Sequence, residues 1–171
     1  QVPDNMPPSS PLIARFRGRD ATIGVIGLGY VGLPLVSRFA EAGFRTIGFD
    51  IDKDKISALK AGRSYISTVP SEKLSSALKK GLRPTDDYSL AADADALIIC
   101  VPTPLTRSRE PDLQYITGTM DSLLPHLRER QLLSLESTSY PGTTDEVIRQ
   151  REEWRIRSGR SPSIRSIRTS R

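Results

Sequence analysis

The chain of 171 residues has one cysteine, Cys100, and one histidine, His126. A single thiol excludes an internal disulfide and fits a reducing, cytoplasmic setting. Nowhere do roughly 18 apolar residues run together, so no membrane span is expected. Gln1 to Ser10 has neither a basic start nor an apolar core and does not read as a secretory signal. No paired His/Cys/Asp spacing suggests a metal site. Aromatic residues make up 6% of the chain and hydrophobic residues 37%. Such a composition suits one domain with an ordinary core and weakly packing ends.

Charge of one sign is scarce until the end of the chain. The net +5 conceals a nearly neutral body: residues 1–148 hold 17 basic and 18 acidic side chains, and residues 149–171 hold eight arginines and two glutamates. The basic balance belongs to the tail rather than to the folded part.

What is present centres on Thr22 to Pro34, T-I-G-V-I-G-L-G-Y-V-G-L-P. Thr22 to Ile26 is a short β-branched run that fits a buried parallel strand. Gly27-x-Gly29-x-x-Gly32 follows, and then an apolar helical pattern through Val31, Leu35, Val36, Phe39 and Ala40. Strand, glycine turn and helix form the context of a dinucleotide fingerprint. Gly27 permits the tight turn, Gly29 leaves the backbone open to a pyrophosphate, and Gly32 lets the helix pack close to the sheet. The helix presents unpaired N–H groups and the positive end of its dipole. A second strand, Arg45 to Asp50, ends on a carboxylate 23 residues after Gly27. Asp50 would accept hydrogen bonds from the adenosine ribose and repel a 2′-phosphate, so the expected cofactor is NAD rather than NADP. The alternative is that Asp50 only caps the helix starting near Ile51.

Further strands are expected at Leu82 to Thr85, Ala96 to Val101 and Gln131 to Glu136. Helices are expected at Tyr30 to Ala42, Asp52 to Lys60, Pro70 to Lys80, Asp87 to Ala92 and Pro111 to Arg130, the last kinked or shortened by Pro125. Leu12 to Arg19 could add a helical turn or two. The fold class is α/β: a Rossmann-type, doubly wound parallel sheet in a single domain with irregular tails. The organisation read from the chain is a largely disordered lead-in at 1–19, an NAD-binding domain at 20–148 and a disordered Arg/Ser-rich tail at 149–171. Ligands in such sheets bind beyond the carboxyl ends of the strands, where the glycine turn, Pro102 to Leu105, and Ser137 to Gly142 share one rim. On bare chemistry, Thr103 and Thr138 offer hydroxyls there but read as turn residues.

Gly27-Leu-Gly-Tyr-Val-Gly-Leu-Pro34, then Cys100-Val-Pro-Thr-Pro104, then Ser137-Thr138 running into Pro141-Gly-Thr143, in that order, resemble the N-terminal domain of the nucleotide-sugar 6-dehydrogenases. That is the UDP-glucose/GDP-mannose dehydrogenase family. The strings Arg109-Glu-Pro-Asp112 and Leu135 to Thr144 are similar to the UDP-N-acetylglucosamine 6-dehydrogenase branch. The resemblance covers roughly residues 20 to 148. It implies oxidation of a UDP-sugar at C6 to the uronic acid with two NAD, through an aldehyde caught by a cysteine in the second half of the family's chain. It also implies that NAD contacts come from Gly27, Leu28, Gly29, Tyr30, Val31, Gly32, Asp50, Lys55, Val101, Pro102, Thr103, Ser137 and Thr138. Lys55 matches a basic position near the adenosine phosphates, Thr103 and Ser137 match the nicotinamide end, and Thr138 matches a threonine that helps hold the reacting water.

The resemblance ends at Ile148. The family's Ser-Pro-Glu-Arg loop, long central helix, catalytic lysine and asparagine, cysteine motif and second Rossmann-like domain are absent from these residues, as is the helix through which family members form homodimers. A chain truncated or frame-shifted ahead of the catalytic cysteine is therefore expected, one that binds NAD weakly and turns over little or nothing by itself. Cys100, in a buried strand, reads as a small hydrophobe rather than a nucleophile. His126 reads as an ordinary helix histidine. Two other readings stand beside this one. The first is a non-catalytic NAD-binding module, or a binder of nucleic acid or anionic surfaces acting through the basic tail; the tail's lack of interleaved aromatics beyond Trp154 disfavours nucleic acid. The second is an NAD dehydrogenase of the β-hydroxyacid type, which Tyr30-Val31 and the Pro-Thr-Pro loop argue against.

Overall fold

The computed structural model describes residues 11–104, 112, 114–136 and 165–166. Among them no helix is long and apolar enough to cross a membrane.

Five short segments become the strands β1 (Thr22–Ile26), β2 (Arg45–Phe49), β3 (Leu82–Thr85), β4 (Ala96–Ile99) and β5 (Leu132–Leu135). A sixth, β6 (Arg165–Ser166), pairs with the outer edge of β5. The sheet thus takes in two residues of the segment for which composition predicts disorder. All neighbours are parallel, in the order β3-β2-β1-β4-β5-β6. This is the doubly wound order with its reversal between β1 and β4.

Helices cover both faces, which is why the central strands β1 and β4 read as continuous hydrophobic runs rather than alternating ones. On one face α2 (Gly32–Glu41), α3 (Lys53–Lys60) and α4 (Ser71–Lys79) bury Leu33, Val36, Leu59 and Leu74 against Ile23 and Val25. On the other, α5 (Gln114–Leu123) buries Ile116, Met120 and Leu123 against Phe49, Leu97 and Ile99.

Several expected boundaries are corrected. The helix expected over Pro111 to Arg130 occupies Gln114–Leu123 and passes into a 3-10 turn at Leu124–His126. Pro125 has no N–H to continue the ladder, so the α-helix stops before it. The helix expected from Tyr30 begins at Gly32. The strand expected to reach Val101 stops at Ile99. Cys100 N–H still donates to the Ile26 carbonyl at 2.7 Å, but β1 turns away at Gly27 and leaves nothing further to pair with.

At the opposite end of the sheet, α1 (Pro11–Arg17) is fastened underneath. Buried Asp95 accepts from Arg15, from Arg128 at 2.8 Å and from the Thr22 N–H at 2.8 Å. Two cations and a backbone donor compensate one buried carboxylate.

Candidate functional site

The strand-order reversal sends α2 away on one face of the sheet and α5 on the other, and a cleft of about 1000 Å³ opens between them. Its floor is the glycine turn. Gly27 has φ +89°, and a Cβ there would lie 2.7 Å from the Cys100 carbonyl oxygen, so only glycine fits. A Cβ at Gly32 would lie 1.8 Å from the Gly27 carbonyl oxygen, with the Cys100 Cβ next on the sheet side at 3.4 Å. What Gly32 clears first is therefore the turn's own backbone rather than the sheet. At Gly29 a Cβ would meet nothing within 4 Å. Gly29 is not needed for packing, and it faces open space.

Hydrogen bonding around the turn is uneven. Leu28 N–H donates to Asp50 Oδ2 at 2.9 Å, and Leu33 N–H donates to the Gly29 carbonyl at 3.1 Å. The N–H groups between them, on Gly29, Tyr30, Val31 and Gly32, have no partner among the described residues. Four adjacent donors at a helix start form a cradle for an anion.

Asp50 lies just past β2 and is 7% exposed. Besides Leu28 N–H it accepts Asp52 N–H at 3.0 Å through Oδ1, and Lys55 Nζ stands 3.8 Å from Oδ2. The cap of α3 is Asp52, which accepts from the N–H groups of Asp54 and Lys55. The helix-cap alternative for Asp50 therefore falls to its neighbour. Each Asp50 oxygen keeps lone-pair capacity beyond its backbone bond, enough to accept ribose hydroxyls.

Tyr30, Val31, Lys55, Val101, Pro102 and Thr103 line one cleft with Gly27, Gly29 and Asp50. Leu28 does not. Its side chain is buried against the Gly48 backbone, and its N–H is already used by Asp50. Leu28 thus shapes the turn rather than facing the cleft. Gly32 is buried at the start of α2 and is not among the residues lining the cleft. Ser137 and Thr138 lie outside the described residues.

The structure adds residues that sequence reasoning missed. Tyr65 and Tyr88 flank the Asp50 end, Ile51 covers it, and Gly118, Thr119 and Ser122 of α5 form the facing wall. All five exposed large hydrophobic residues among those described, Tyr30, Val31, Ile51, Tyr65 and Tyr115, are on this one cleft. An apolar rim around a few directed polar groups suits flat heteroaromatic rings. The break of small and polar residues in the apolar stripe of α5 was the one local sign of that wall.

Burial and the Asp50 charge push Tyr88 up to about 12. Burial, followed by the charges of Asp50 and Asp52, pushes Tyr65 higher still. Both phenols are donors near neutral pH. Cys100 also lines the cleft, half-buried at the end of β4 rather than inside the strand as expected. Burial, then the Glu136 charge, pushes its thiol up to about 12, so it stays protonated and weakly nucleophilic. His126 is in the 3-10 turn and is not among the residues lining the cleft.

Comparison with known proteins agrees with this geometry. Residues 21–163 match the UDP-glucose/GDP-mannose dehydrogenase family, NAD binding domain, a span that runs past Ile148, where the resemblance read from the motifs stops. The UDP-N-acetyl-D-mannosamine dehydrogenase of Methanocaldococcus jannaschii is 37% identical over 134 residues, covering 75% of this chain and 30% of that protein. Among solved structures, a UDP-glucose dehydrogenase from Pyrobaculum islandicum superposes with TM-score 0.76 at 28% identity, over 85% of this chain and 34% of its own. The UDP-N-acetyl-mannosamine dehydrogenase of Staphylococcus aureus gives 0.75 at 30%, over 85% and 35%. The chain spans about a third of the length of the relatives it matches.

Proposed function

This chain belongs to the UDP-glucose/GDP-mannose dehydrogenase family through its NAD-binding domain, and from that premise we propose how its cleft holds the cofactor. The diphosphate rests on the four unpartnered N–H groups from Gly29 to Gly32. The adenosine ribose hydroxyls donate to Asp50. The adenine lies between Ile51 and the Gly118–Ser122 face of α5, and the nicotinamide end points toward Val101, Pro102 and Thr103. Thr138 and Ser137 keep the roles that the motif resemblance gives them, water-holding and nicotinamide-lining. The single observation that carries this reading is the run of four free donors that begins beside a buried carboxylate.

NAD, when bound, supplies a hydride acceptor. The chain's own residues bind and orient it: Asp50 fixes one end by charge-assisted hydrogen bonds, and the apolar rim keeps water from the rings. The oxidation this serves is that of a UDP-sugar at C6. We infer an N-acetylated UDP-hexosamine as the substrate class. The mannosamine enzymes among the relatives and the N-acetylglucosamine branch resemblance share the 2-acetamido group and the UDP moiety. Binding of NAD, without turnover, is the activity proposed for these 171 residues alone, because their one thiol is the protonated Cys100.

Calorimetry with NAD and NADP tests the cofactor reading: heat from NAD and a much weaker NADP response are expected, and no NAD heat refutes it. Incubation with NAD and either UDP-N-acetylglucosamine or UDP-N-acetylmannosamine, followed at the reduced-nicotinamide absorbance band, tests the rest. Robust turnover by this chain would refute the proposal that it only binds.

A further inference from the structure

Leu28 has both halves of its backbone committed. Its N–H donates to Asp50 at 2.9 Å, and its carbonyl accepts from the Tyr65 hydroxyl at 2.7 Å. The described backbone has no cis peptides, so the Leu28 carbonyl and the Gly29 N–H of that one planar unit point in opposite directions. Whatever fixes the carbonyl fixes the first of the four free donors. The Tyr65 ring does a second thing. Lys55 Nζ lies 5.9 Å from its centroid while standing 3.8 Å from Asp50 Oδ2, so a π-face and a carboxylate hold one ammonium between them. Tyr65 comes from the connection between α3 and α4, whose neighbours Ile66 and Val69 are buried, so the phenol is presented from an anchored segment.

We propose that Tyr65 is a cofactor-positioning residue. Its hydroxyl sets the Gly29 amide to receive the diphosphate, and its ring keeps Lys55 beside Asp50 at the adenosine end. The inference rests on the NAD reading of the cleft given above. It separates two contributions that one side chain makes, and they can be removed one at a time. Tyr65→Phe keeps the ring and loses the tether; Tyr65→Ala loses both.

The test uses the full chain, with ADP-ribose, which carries the diphosphate, and adenosine, which does not. Tyr65→Phe is expected to weaken ADP-ribose about five-fold, the size of one hydrogen bond, to leave adenosine within about two-fold, and to move the Gly29 amide resonance in ligand-free protein. Tyr65→Ala is expected to weaken both ligands. A residue that merely anchors its loop would not separate them. Unchanged ADP-ribose binding by Tyr65→Phe, or equal losses for both ligands, overturns the proposal. A wild-type chain that binds neither NAD nor ADP-ribose refutes the reading of the cleft instead. In that case the ligand-free Gly29 resonance still decides whether Tyr65 orients the turn, and an unmoved resonance overturns that too.

Discussion

Two alanine substitutions three residues apart should fail in opposite ways. At Gly32, an added methyl carbon would lie 1.8 Å from the Gly27 carbonyl oxygen. Both are backbone-bound, so α2 or the turn must move by more than about 1 Å to restore van der Waals distance. Overpacking with backbone displacement costs about 3 kcal/mol. At Gly29 the methyl meets nothing, and the residue is not in the left-handed region. Gly29→Ala should therefore fold as well as wild type, with a gain of about 0.5 kcal/mol from a less flexible unfolded chain. Its methyl would stand in the space proposed for the diphosphate, and losing one charge-assisted hydrogen bond costs about 2 kcal/mol, or roughly 30-fold in affinity. Urea denaturation of both variants, with calorimetry against NAD, reads the two effects separately. Gly29→Ala that unfolds as early as Gly32→Ala, or that binds NAD as tightly as wild type, refutes the assignment of one glycine to the ligand and the other to the fold.

Asp50→Asn keeps one acceptor oxygen for the Leu28 N–H but removes the charge proposed to face the ribose; NAD affinity should fall about ten-fold while NADP loses less, measured by calorimetry with both. Equal losses would contradict a 2′-position role for the carboxylate. Thr46 has a buried hydroxyl with no hydrogen-bond partner among the described residues, so Thr46→Val should raise stability by about 1 kcal/mol in denaturant unfolding; a loss would mean the hydroxyl is satisfied. Because the folded chain raises the Cys100 thiol to about 12, alkylation at pH 8 should be slow and climb with pH, and a plateau below pH 9 would contradict this. The same shift means that its contribution to stability is full below the ordinary thiol range and is lost as pH rises toward 12.

Much of the sheet is legible in the sequence because strands buried on both faces must be apolar throughout, and Ala96 to Ile99 and Thr22 to Ile26 can be little else. The glycine turn and Asp50 were legible because their spacing is a local constraint of the strand–turn–helix unit. Element ends were less so: where β4 stops depends on where β1 turns away, which is a property of the neighbour. Tyr65 carried no sign of its contact with the turn, since its hydroxyl reaches Leu28 across 37 positions. Asp95 was equally silent, because it is read only once Arg15 and Arg128 converge on it.

The most direct measurement follows backbone amide resonances of the chain during titration with NAD. The largest shifts are predicted at Gly29, Tyr30, Val31 and Gly32, with a second group around Asp50. Saturating NAD that leaves these amides in place, or that moves residues elsewhere on the sheet instead, would contradict a cofactor held at the glycine turn.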